Sequence, residues 1–340
     1  MSLKGLAKKL VGGAVAPYGF EILDRSVLYD WQYEQPPGDR KEPAQLPPGA
    51  AEYLTAANPR LVDLRERYAR CSPAVTTPLV WTDDHVAGDR LRFFRGDYAY
   101  VWQLSGTNMN VLGYALTTYY VKAIDTLGLL DKLTDDNMFG NHTFPIGGRP
   151  MSRDLLDSII EIYFLERHLK LSSLPGVTIL DVGAGYGRLA HRMVQSLGNI
   201  KEYVCADAVP VSTLICDYYL KFRACEARAA VLPLDELETR LAKRQIDLAI
   251  NIHSFSECRS PAIDWWLSLL ARHRVRYLMI VPNTPRKTVG ETLLTNDGHD
   301  FGGIVTKHGY SLVAREPKYR DPIVQQYAIN PTHHYLFELR

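Results

Sequence analysis

The chain has 340 residues, of which 46% are hydrophobic and 23% are charged, a composition that predicts a packed core and excludes a disordered protein. Lysine and arginine number 39 against 38 aspartate and glutamate residues, so the net charge of +1 creates no field that would attract nucleic acid. The five cysteines include no C-x-x-C pair, which argues against a disulfide framework or a zinc site, and no apolar run approaches a membrane span in length. We therefore expect a cytoplasmic protein with no nucleic-acid partner and no integral membrane segment.

The first 150 residues are predicted to form a mainly helical region. Residues 1–19 carry three lysines and a weakly apolar run that suits a short docking helix, and residues 35–49 form a proline-rich connector. Residues 51–71 and 108–134 have helical patterns, and residues 135–151 form a loop. This region is expected to provide the acceptor side of a site, a lid and, if the chain forms a homodimer, the contacts between the two copies.

The second region, residues 151–340, is predicted to begin with an amphipathic helix. Ser152 can cap this helix, and Asp154 lies in its first turn, where the positive end of the helix dipole favours a carboxylate. Apolar side chains then recur at helical spacing from Leu156 to Phe164. One face of this helix is therefore expected to be buried, and the helix is expected to end near Leu171.

Beyond residue 176, short apolar strands alternate with helices. The predicted strands are residues 177–182, 203–206, 229–232, 248–252, 277–281, 311–315 and 334–339. Apolar strands separated by helices predict a parallel sheet covered on both faces, and the last two strands, with no helix between them, predict an antiparallel hairpin. The expected fold class is α/β: a Rossmann-like, doubly wound sheet of seven mostly parallel strands, preceded by the helical region.

A strand-to-helix turn rich in glycine is the strongest indication of a ligand site. Its sequence, DVGAGYG at residues 181–187, contains Gly183, Gly185 and Gly187. Glycines at such a turn let the backbone approach a ligand closely, and the crevice at the strand ends is where such sheets bind nucleotides. A dinucleotide fingerprint needs its third glycine at position 188, where this chain has Arg188. The spacing therefore disfavours a nicotinamide oxidoreductase.

This turn resembles the first motif of class I S-adenosylmethionine methyltransferases. The resemblance implies that Asp181 lies near the methionine ammonium of the cofactor and that Asp207, after the second strand, binds the ribose hydroxyls. It also implies that the loop at Leu234 lies beside the adenine. S-adenosylmethionine is accordingly the expected cofactor. The candidate cofactor-binding residues are Asp181, Gly183, Gly185, Gly187, Asp207, Leu234, Asn251, Ser152 and Arg153.

Four segments make the sequence similar to a narrower family, the sugar O-methyltransferases encoded in polysaccharide and glycolipid gene clusters. They are SRDLLDS at 152–158, LDVGAGYG at 180–187, HSFSE at 253–257 and HGY at 308–310. The similarity implies methyl transfer to a saccharide hydroxyl, and some members resemble enzymes of methylated-mannose polysaccharide synthesis, which suggests a mannoside. The Asn/Asp-Pro-Pro-aromatic motif of base-methylating enzymes is absent after the fourth strand, so a nucleic-acid acceptor is disfavoured.

A sugar hydroxyl is a poor nucleophile until its proton leaves, so a base within hydrogen-bond reach is expected. The candidate catalytic residues are His253 and Glu257 after the fourth strand, and His142 in the glycine-rich loop before the helix at 152. Two of them have an alternative: a solvated loop histidine for His142, and a sugar ligand rather than a base for Glu257. The sequence does not choose among the three.

Two further groups are candidates for contact with the acceptor. Residues 296–300 (NDGHD) could bind sugar hydroxyls or Mg²⁺, because hard oxygen ligands suit that cation, although an ordinary Asp-Gly turn is the alternative and the metal requirement stays open. Trp81, Trp102 and the pair Tyr119 and Tyr120 are candidates for stacking on a sugar, whereas Trp265 and Trp266 are expected to pack in the core.

Two rival functions remain compatible with the sequence. One is an O-methyltransferase for a non-sugar small molecule such as a polyketide or phenol. The other is a cofactor-binding protein without catalytic activity that serves as a scaffold. Turnover of phenols but not glycosides would indicate the first, and cofactor binding without methyl transfer to any acceptor would indicate the second.

Overall fold

The computed structural model describes residues 10–11, 13–18, 45–82, 85, 87–97, 100–104, 108–283 and 290–340. Most of the predicted proline-rich connector at 35–49 and half of the predicted docking helix therefore lie outside the described residues. Within the described part of the chain, no helix is both long and apolar enough to cross a membrane.

Helices precede the main sheet and then alternate with its strands. The α-helices are α1 (Ala50–Tyr53), α2 (Pro59–Tyr68), α3 (Pro73–Thr76), α4 (Val111–Ile124), α5 (Leu129–Lys132), α6 (Arg153–Leu169), α7 (Arg188–Ser196), α8 (Pro210–Phe222), α9 (Leu237–Leu241), α10 (Ser260–Arg272), α11 (Gly302–Lys307) and α12 (Pro322–Tyr327). The strands are β1 (Phe144–Ile146), β2 (Arg149–Met151), β3 (Val177–Val182), β4 (Ile200–Ala206), β5 (Ala229–Leu232), β6 (Leu248–Ile252), β7 (Tyr277–Val281), β8 (Tyr310–Pro317) and β9 (His333–Leu339).

Seven strands form the main sheet in the order β5-β4-β3-β6-β7-β9-β8. The first five in this order are parallel, β9 is antiparallel to β7, and β8 is antiparallel to β9. The predicted Rossmann-like methyltransferase fold is therefore confirmed, including the antiparallel pair at the C-terminal end. Because the order reverses direction between β3 and β6, a crevice opens at the carboxyl ends of these strands.

The central strand β3 shows why an apolar run produces this sheet. All six of its residues are buried. Leu180 and Val182 pack into the core on one face of the sheet, and Val177 and Ile179 pack into the core on the other face. Side chains alternate between the two faces of a strand, so a strand covered on both sides must be apolar at every position that faces a core.

The connection between β8 and β9 differs from the prediction, because it contains the short helix α12. Pro322 occupies the first turn of this helix, and the Asp321 carboxylate accepts hydrogen bonds from the backbone N–H groups of Ile323 and Val324, 2.8 and 3.1 Å away. An aspartate cap followed by proline is a helix start signal, and the sequence interpretation overlooked it.

The predicted loop at residues 135–151 also contains regular structure. β1 and β2 pair antiparallel, with Phe144 opposite Met151. Gly147 and Gly148 connect the two strands with φ values of +60° and +77°. Glycine adopts this left-handed backbone without steric cost, which permits the tight turn.

The helix predicted at 51–71 is interrupted before Pro59. Proline disfavours a helical conformation at the residue before it, and Asn58 instead caps α2 by accepting a hydrogen bond from the backbone N–H of Arg60 at 2.9 Å. The helix predicted at 108–134 is likewise divided into α4 and α5, at Asp125. The Asp125 carboxylate accepts hydrogen bonds from the first two backbone N–H groups of α5, at 2.7 and 2.9 Å.

Buried polar contacts join the N-terminal helices to the sheet. The Tyr68 hydroxyl at the end of α2 accepts a hydrogen bond from the backbone N–H of Leu234 at 2.9 Å and lies 2.9 Å from the Thr213 hydroxyl on α8. The fully buried Arg95 contacts the carboxylates of Asp135, Asp136 and Asp154. The N-terminal segment is therefore held against the carboxyl edge of the sheet, where the crevice lies.

Candidate functional site

A cavity of about 720 Å³ lies at the carboxyl edge of the sheet. Four strand ends contribute to its wall: the glycine turn after β3, Asp207 after β4, His253 after β6 and Asn283 after β7. Side chains from the N-terminal segment, including Trp81 and Tyr100, complete the wall. This volume is within the range of about 300–1,000 Å³ that is typical of small-molecule sites.

The glycines of the turn are required by close contacts within the protein. At Gly183, with φ of +73°, a Cβ atom would lie 2.1 Å from the Ser254 hydroxyl oxygen. At Gly187, with φ of +84°, it would lie 2.9 Å from the Cys216 sulfur. Any side chain at either position would displace the turn, so both glycines keep the cavity floor in place. Gly183 also lines the cavity, as does Gly185, but Gly187 does not.

Two buried carboxylates line the cavity next to the glycine turn. Asp181 accepts a hydrogen bond from the Tyr203 hydroxyl at 2.8 Å, and burial raises its pKa to about 7. Asp207 accepts hydrogen bonds from the backbone N–H groups of Gly185 and Val209 at 3.1 and 2.8 Å, and burial raises its pKa to about 7 as well. A ligand that brings hydrogen-bond donors or positive charge would favour the ionised form of both groups.

His253 occupies the turn after β6 with a strained backbone. Its φ is +64°, a region that non-glycine residues rarely adopt. Its Nδ1 lies 3.3 Å from the Pro282 carbonyl oxygen, which only accepts, so the ring hydrogen belongs on Nδ1. Its Nε2 then faces the Arg153 guanidinium at 3.4 Å. Burial, reinforced by Arg153, lowers the His253 pKa to about 3, so this imidazole is neutral near pH 7 and a weak base.

Glu257 presents a carboxylate to the cavity from the same turn. One of its oxygens accepts a hydrogen bond from the Trp81 indole N–H at 2.6 Å, and the other accepts from the Asn283 amide at 3.0 Å. Burial raises the pKa of Glu257 above its usual value. The Trp81 ring also lies 4.7 Å from the Tyr100 ring, centroid to centroid. The site thus combines a carboxylate, an amide and aromatic rings within one wall.

Arg153 links the first turn of α6 to the C-terminal segment. Its Nε donates to Asp157 at 3.0 Å, and its Nη1 donates to the Trp102 carbonyl at 2.8 Å. Asp157 in turn accepts from the buried Lys318 ammonium at 2.5 Å. Burial opposes ionisation of Asp157, but the ion pairs with Lys318 and Arg153 outweigh it and keep the Asp157 pKa below its usual range. These charges are therefore fixed in position beside the cavity.

Several residues predicted to contact a ligand do not line the cavity. Leu234 is covered by Tyr68, whose hydroxyl accepts the Leu234 N–H, so helix α2 covers the position expected to border the adenine. Asn251 donates to the Val182 carbonyl at 2.8 Å and accepts from the Phe255 N–H at 2.9 Å. Asn251 therefore stabilises the turn after β6 through these two hydrogen bonds.

Ser152 and His142 are also outside the cavity wall. The Ser152 hydroxyl caps α6 by accepting from the Leu155 N–H at 3.1 Å, and it contacts the Asp135 carboxylate. The His142 ring packs edge-to-face on Phe144, with ring centroids 4.8 Å apart. The structure therefore brings together His253 and Glu257, and it places His142 elsewhere.

The aromatic candidates divide in the same way. Trp81 and Trp102 line the cavity, whereas Tyr119 is exposed and the Tyr120 hydroxyl accepts from the Arg320 N–H at 3.2 Å. Trp266 is buried, as expected of a packing residue, and also borders the cavity.

The segment at 296–300 forms an Asp-Gly turn at one side of the cavity. Asn296 lines the cavity, the Asp297 carboxylate accepts from the Thr295 hydroxyl at 2.5 Å, and Gly298 has φ of +88°. Among the described residues, no group of three or more His, Cys, Asp or Glu side chains could hold a metal ion.

Several residues of the cavity wall had not been proposed from the sequence as site residues, and three of them carry polar side chains that matter for the site. Asp154, which the sequence placed in the first helical turn, lines the cavity, as do Tyr100 and Asn283. Tyr100 belongs to a segment without a recognisable motif, and Asn283 follows β7 by two positions. A rule that collects polar residues after every parallel strand would have identified Asn283.

Comparisons with known proteins identify similar folds. No protein-family model matches this sequence, and no curated protein matches it. Magnesium protoporphyrin IX methyltransferase from Synechocystis PCC 6803, solved with S-adenosylmethionine bound, is 14% identical with a TM-score of 0.39, and the match covers 55% of this chain and 83% of that one. A SAM-dependent methyltransferase from Aquifex aeolicus is 18% identical with a TM-score of 0.40, covering 54% and 98%. The [4+2]-cyclase SpnF is 15% identical with a TM-score of 0.40, covering 66% and 93%.

Likenesses of this size carry no argument about the reaction. SpnF shows the reason, because a protein named for a cyclisation matches as well as proteins named for methyl transfer. The function must therefore be argued from the cavity of this chain.

Proposed function

We propose that this protein is an S-adenosylmethionine-dependent O-methyltransferase that acts on a saccharide hydroxyl. One observation carries the proposal: a single cavity holds two buried carboxylates at adjacent strand ends and a third carboxylate beside an indole ring. The first two, Asp181 and Asp207, suit a cofactor that carries donors and positive charge, and the third, Glu257, suits a hydroxyl that must lose a proton.

The cofactor assignment is based on two carboxylates that have few hydrogen-bond donors from the protein. Asp181 and Asp207 are buried with too few partners to keep their pKa values low. The cofactor offers a cationic amino-acid group and two ribose hydroxyls, which are the donors these carboxylates need. Asp207 would bind the ribose and Asp181 would lie toward the ammonium. When bound, S-adenosylmethionine supplies an electrophilic methyl group.

Glu257 is the group best placed to act as the base. Its raised pKa brings it closer to the value at which a carboxylate accepts a proton efficiently near neutral pH. Trp81 and Asn283 each donate to one of its oxygens, which fixes the carboxylate plane while leaving lone pairs for an acceptor hydroxyl. His253 is less suited, because the Arg153 guanidinium faces its free nitrogen.

The saccharide assignment is supported by the combination of groups around Glu257. A sugar ring presents an apolar face, which an indole can cover, and hydroxyls that a carboxylate and an amide can bind. Trp81, Glu257 and Asn283 provide this combination. Residues of the first 150, among them Trp81, Tyr100 and Trp102, line the cavity, so we further propose that this region forms the acceptor side. A mannoside is the narrower candidate.

A flat phenolic acceptor is the second candidate, and one contact favours it. The Trp81 and Tyr100 rings lie at an interplanar angle of 30°, so together they form an aromatic surface on which a phenol could stack. The same base and cofactor would serve either acceptor.

Binding and turnover test the two parts of the proposal separately. Calorimetric titration of the full chain should give micromolar affinity for S-adenosylhomocysteine and no binding of NAD⁺. Methyl transfer from S-adenosylmethionine should then be measured over a panel of methyl glycosides, including mannosides, and a panel of phenols. Turnover of glycosides supports the proposed acceptor, and turnover of phenols alone moves the assignment to the second candidate. A chain that binds the cofactor but methylates neither panel would contradict both acceptors.

A further inference from the structure

Asp154, a residue of the cavity wall, has one carboxylate oxygen that meets no hydrogen-bond partner among the residues that the structure describes. Asp154 lies in the first turn of α6 with 1% of its surface exposed, and it lines the cavity. Its Oδ2 accepts from the Arg95 Nε at 3.0 Å and from the Tyr186 hydroxyl. Its Oδ1 is buried and unpartnered. A buried acceptor without a donor costs about 1–3 kcal/mol, and more if it is charged, so a donor is expected at this position.

The neighbouring protein donors cannot supply it. Arg95 directs its two terminal nitrogens to Asp135 and Asp136, at 2.6 and 2.8 Å, and its Nε to Asp154 Oδ2. The single hydrogen of the Tyr186 hydroxyl is also committed to Oδ2. These contacts fix the Asp154 side chain and leave one oxygen facing no protein donor. The missing donor therefore comes from whatever fills the cavity.

Charges of both signs lie together at this end of the cavity. Arg153, the residue before Asp154, uses one hydrogen on each of its three nitrogens, toward Asp157, Trp102 and His253. A guanidinium carries five N–H donors, so two remain for a ligand. Tyr186, in the glycine turn that follows Asp181, donates its hydroxyl hydrogen to Asp154 Oδ2, which places Asp154 beside that turn.

We propose that the first turn of α6 binds the amino-acid end of the cofactor. Asp154 would accept hydrogen bonds from the α-ammonium, and Arg153 would donate to the α-carboxylate. This inference rests on the proposed cofactor. An ammonium supplies both the donor and the positive charge that the unpartnered oxygen lacks. The positive end of the helix dipole favours a carboxylate in this first turn, and the Asp154 carboxylate and Arg153 guanidinium together are complementary to a zwitterion. The ribose of the cofactor is a weaker match for Asp154, because Asp207, at the end of β4, would provide the carboxylate that binds the ribose hydroxyls.

Calorimetry with two ligands tests the Asp154 contact. Asp154→Asn keeps the side-chain shape and removes the charge. Its affinity for S-adenosylhomocysteine should fall by about 10- to 100-fold, the range for a lost charged hydrogen bond. The second ligand is the analogue of S-adenosylhomocysteine that lacks the α-amino group. Asp154→Asn and the wild type should bind this analogue with equal affinity. The matched control is Asp136→Asn, which removes another Arg95 partner that does not line the cavity. This control should lower the melting temperature and leave S-adenosylhomocysteine binding unchanged.

Each outcome has a distinct meaning. Equal losses for the two ligands would show that Asp154 only shapes the wall and would overturn the inference. Unchanged binding of both ligands would show that the Asp154 oxygen takes its hydrogen bond from water rather than from the cofactor. That result would also overturn the inference. If Asp154→Asn does not fold, the comparison of the two ligands on the wild type can still overturn the inference. In that case equal affinities would mean that the ammonium gains nothing from the site. Failure of the wild type to bind S-adenosylhomocysteine would instead overturn the proposed cofactor.

Discussion

The two sides of the cavity are built from different kinds of interaction. On the sheet side, the backbone fixes the groups that face the cavity: β3 ends in a glycine turn packed against Ser254 and Cys216, and two backbone N–H groups hold the Asp207 carboxylate. On the N-terminal side, side chains hold one another across long sequence separations, as when Trp81 donates to Glu257. The sheet side is thus rigid by local geometry, and the N-terminal side depends on tertiary contacts.

This difference corresponds to two tasks. A cofactor that is the same in every turnover is served by groups placed at strand ends, where the fold itself positions them. Under the proposed function, the acceptor would contact Trp81 and Tyr100 from a separate segment, which can differ without disturbing the sheet. The comparison predicts that changes on the sheet side impair cofactor binding, whereas changes around Glu257 impair turnover and leave cofactor binding intact.

The largest effect is expected for Glu257→Gln. Loss of the base should lower kcat by about 10²- to 10⁴-fold, while affinity for S-adenosylhomocysteine stays within a factor of two or so of the wild type. Single-turnover methyl transfer and calorimetry provide the two readouts. Glu236→Gln, a surface glutamate that pairs with Arg67, is the control and should keep full activity. If His253→Gln abolished turnover while Glu257→Gln retained it, the histidine would be the base.

The sequence could predict the sheet side well, and the physical reason is local. Asp181 and Asp207 were identified through the resemblance of the glycine turn to the first methyltransferase motif, and strand periodicity showed that both residues lie at strand ends, which meet at one edge of a parallel sheet. His253 and Glu257 followed from the same rule. Both histidines were candidate bases, yet only the geometry shows that Arg153 faces the His253 nitrogen and that His142 packs on Phe144.

The N-terminal side was not predictable to the same degree. That Tyr68 covers Leu234 depends on how α2 docks, and no local pattern encodes a contact across 166 positions. The unpartnered oxygen of Asp154 depends on Arg95, which lies 59 positions earlier and whose three carboxylate contacts exist only in the folded chain. The helix α12 is different, because its start signal at Asp321 and Pro322 was present and was overlooked.

The second largest effect is expected for Asp207→Ala, on the opposite side of the comparison. Removing the carboxylate that would bind both ribose hydroxyls should weaken S-adenosylhomocysteine binding by about 100-fold, measured by calorimetry. Asp217→Ala is the matched control, since that aspartate pairs with Arg60 at 2.7 Å and does not line the cavity. Equal affinities for wild type and Asp207→Ala would remove Asp207 from the cofactor site.

Cofactor affinity should also depend on pH, with a smaller effect. Burial raises the pKa of Asp181 and Asp207 to about 7, and a ligand that brings hydroxyl donors and an ammonium group binds the ionised forms better. Affinity for S-adenosylhomocysteine should therefore rise from pH 6 to pH 8, by about tenfold for each carboxyl that must lose a proton on binding. Calorimetry in buffers with different ionisation enthalpies should detect the released protons. A flat pH profile would show that both groups are already ionised without ligand.

The same shift predicts an effect on stability without ligand. A carboxyl whose folded pKa lies above its unfolded value binds more protons in the native state, so its contribution to stability falls between about pH 4 and pH 7. Asp207→Asn cannot ionise and should escape this loss. Its melting temperature relative to the wild type should therefore rise from pH 5 to pH 8, and an unchanged difference would contradict the raised pKa.

The smallest effect is expected for Tyr68→Phe, where the two sides of the molecule meet. The hydroxyl accepts the Leu234 N–H and contacts the Thr213 hydroxyl, and its removal leaves that buried N–H without a partner. The cost should be about 1–3 kcal/mol of unfolding free energy, measured by urea denaturation. S-adenosylhomocysteine affinity should not fall, because Leu234 lies beneath α2 rather than on the cavity wall. A marked loss of affinity would mean that α2 moves away on binding and that the Leu234 backbone contacts the adenine, as the family resemblance implies.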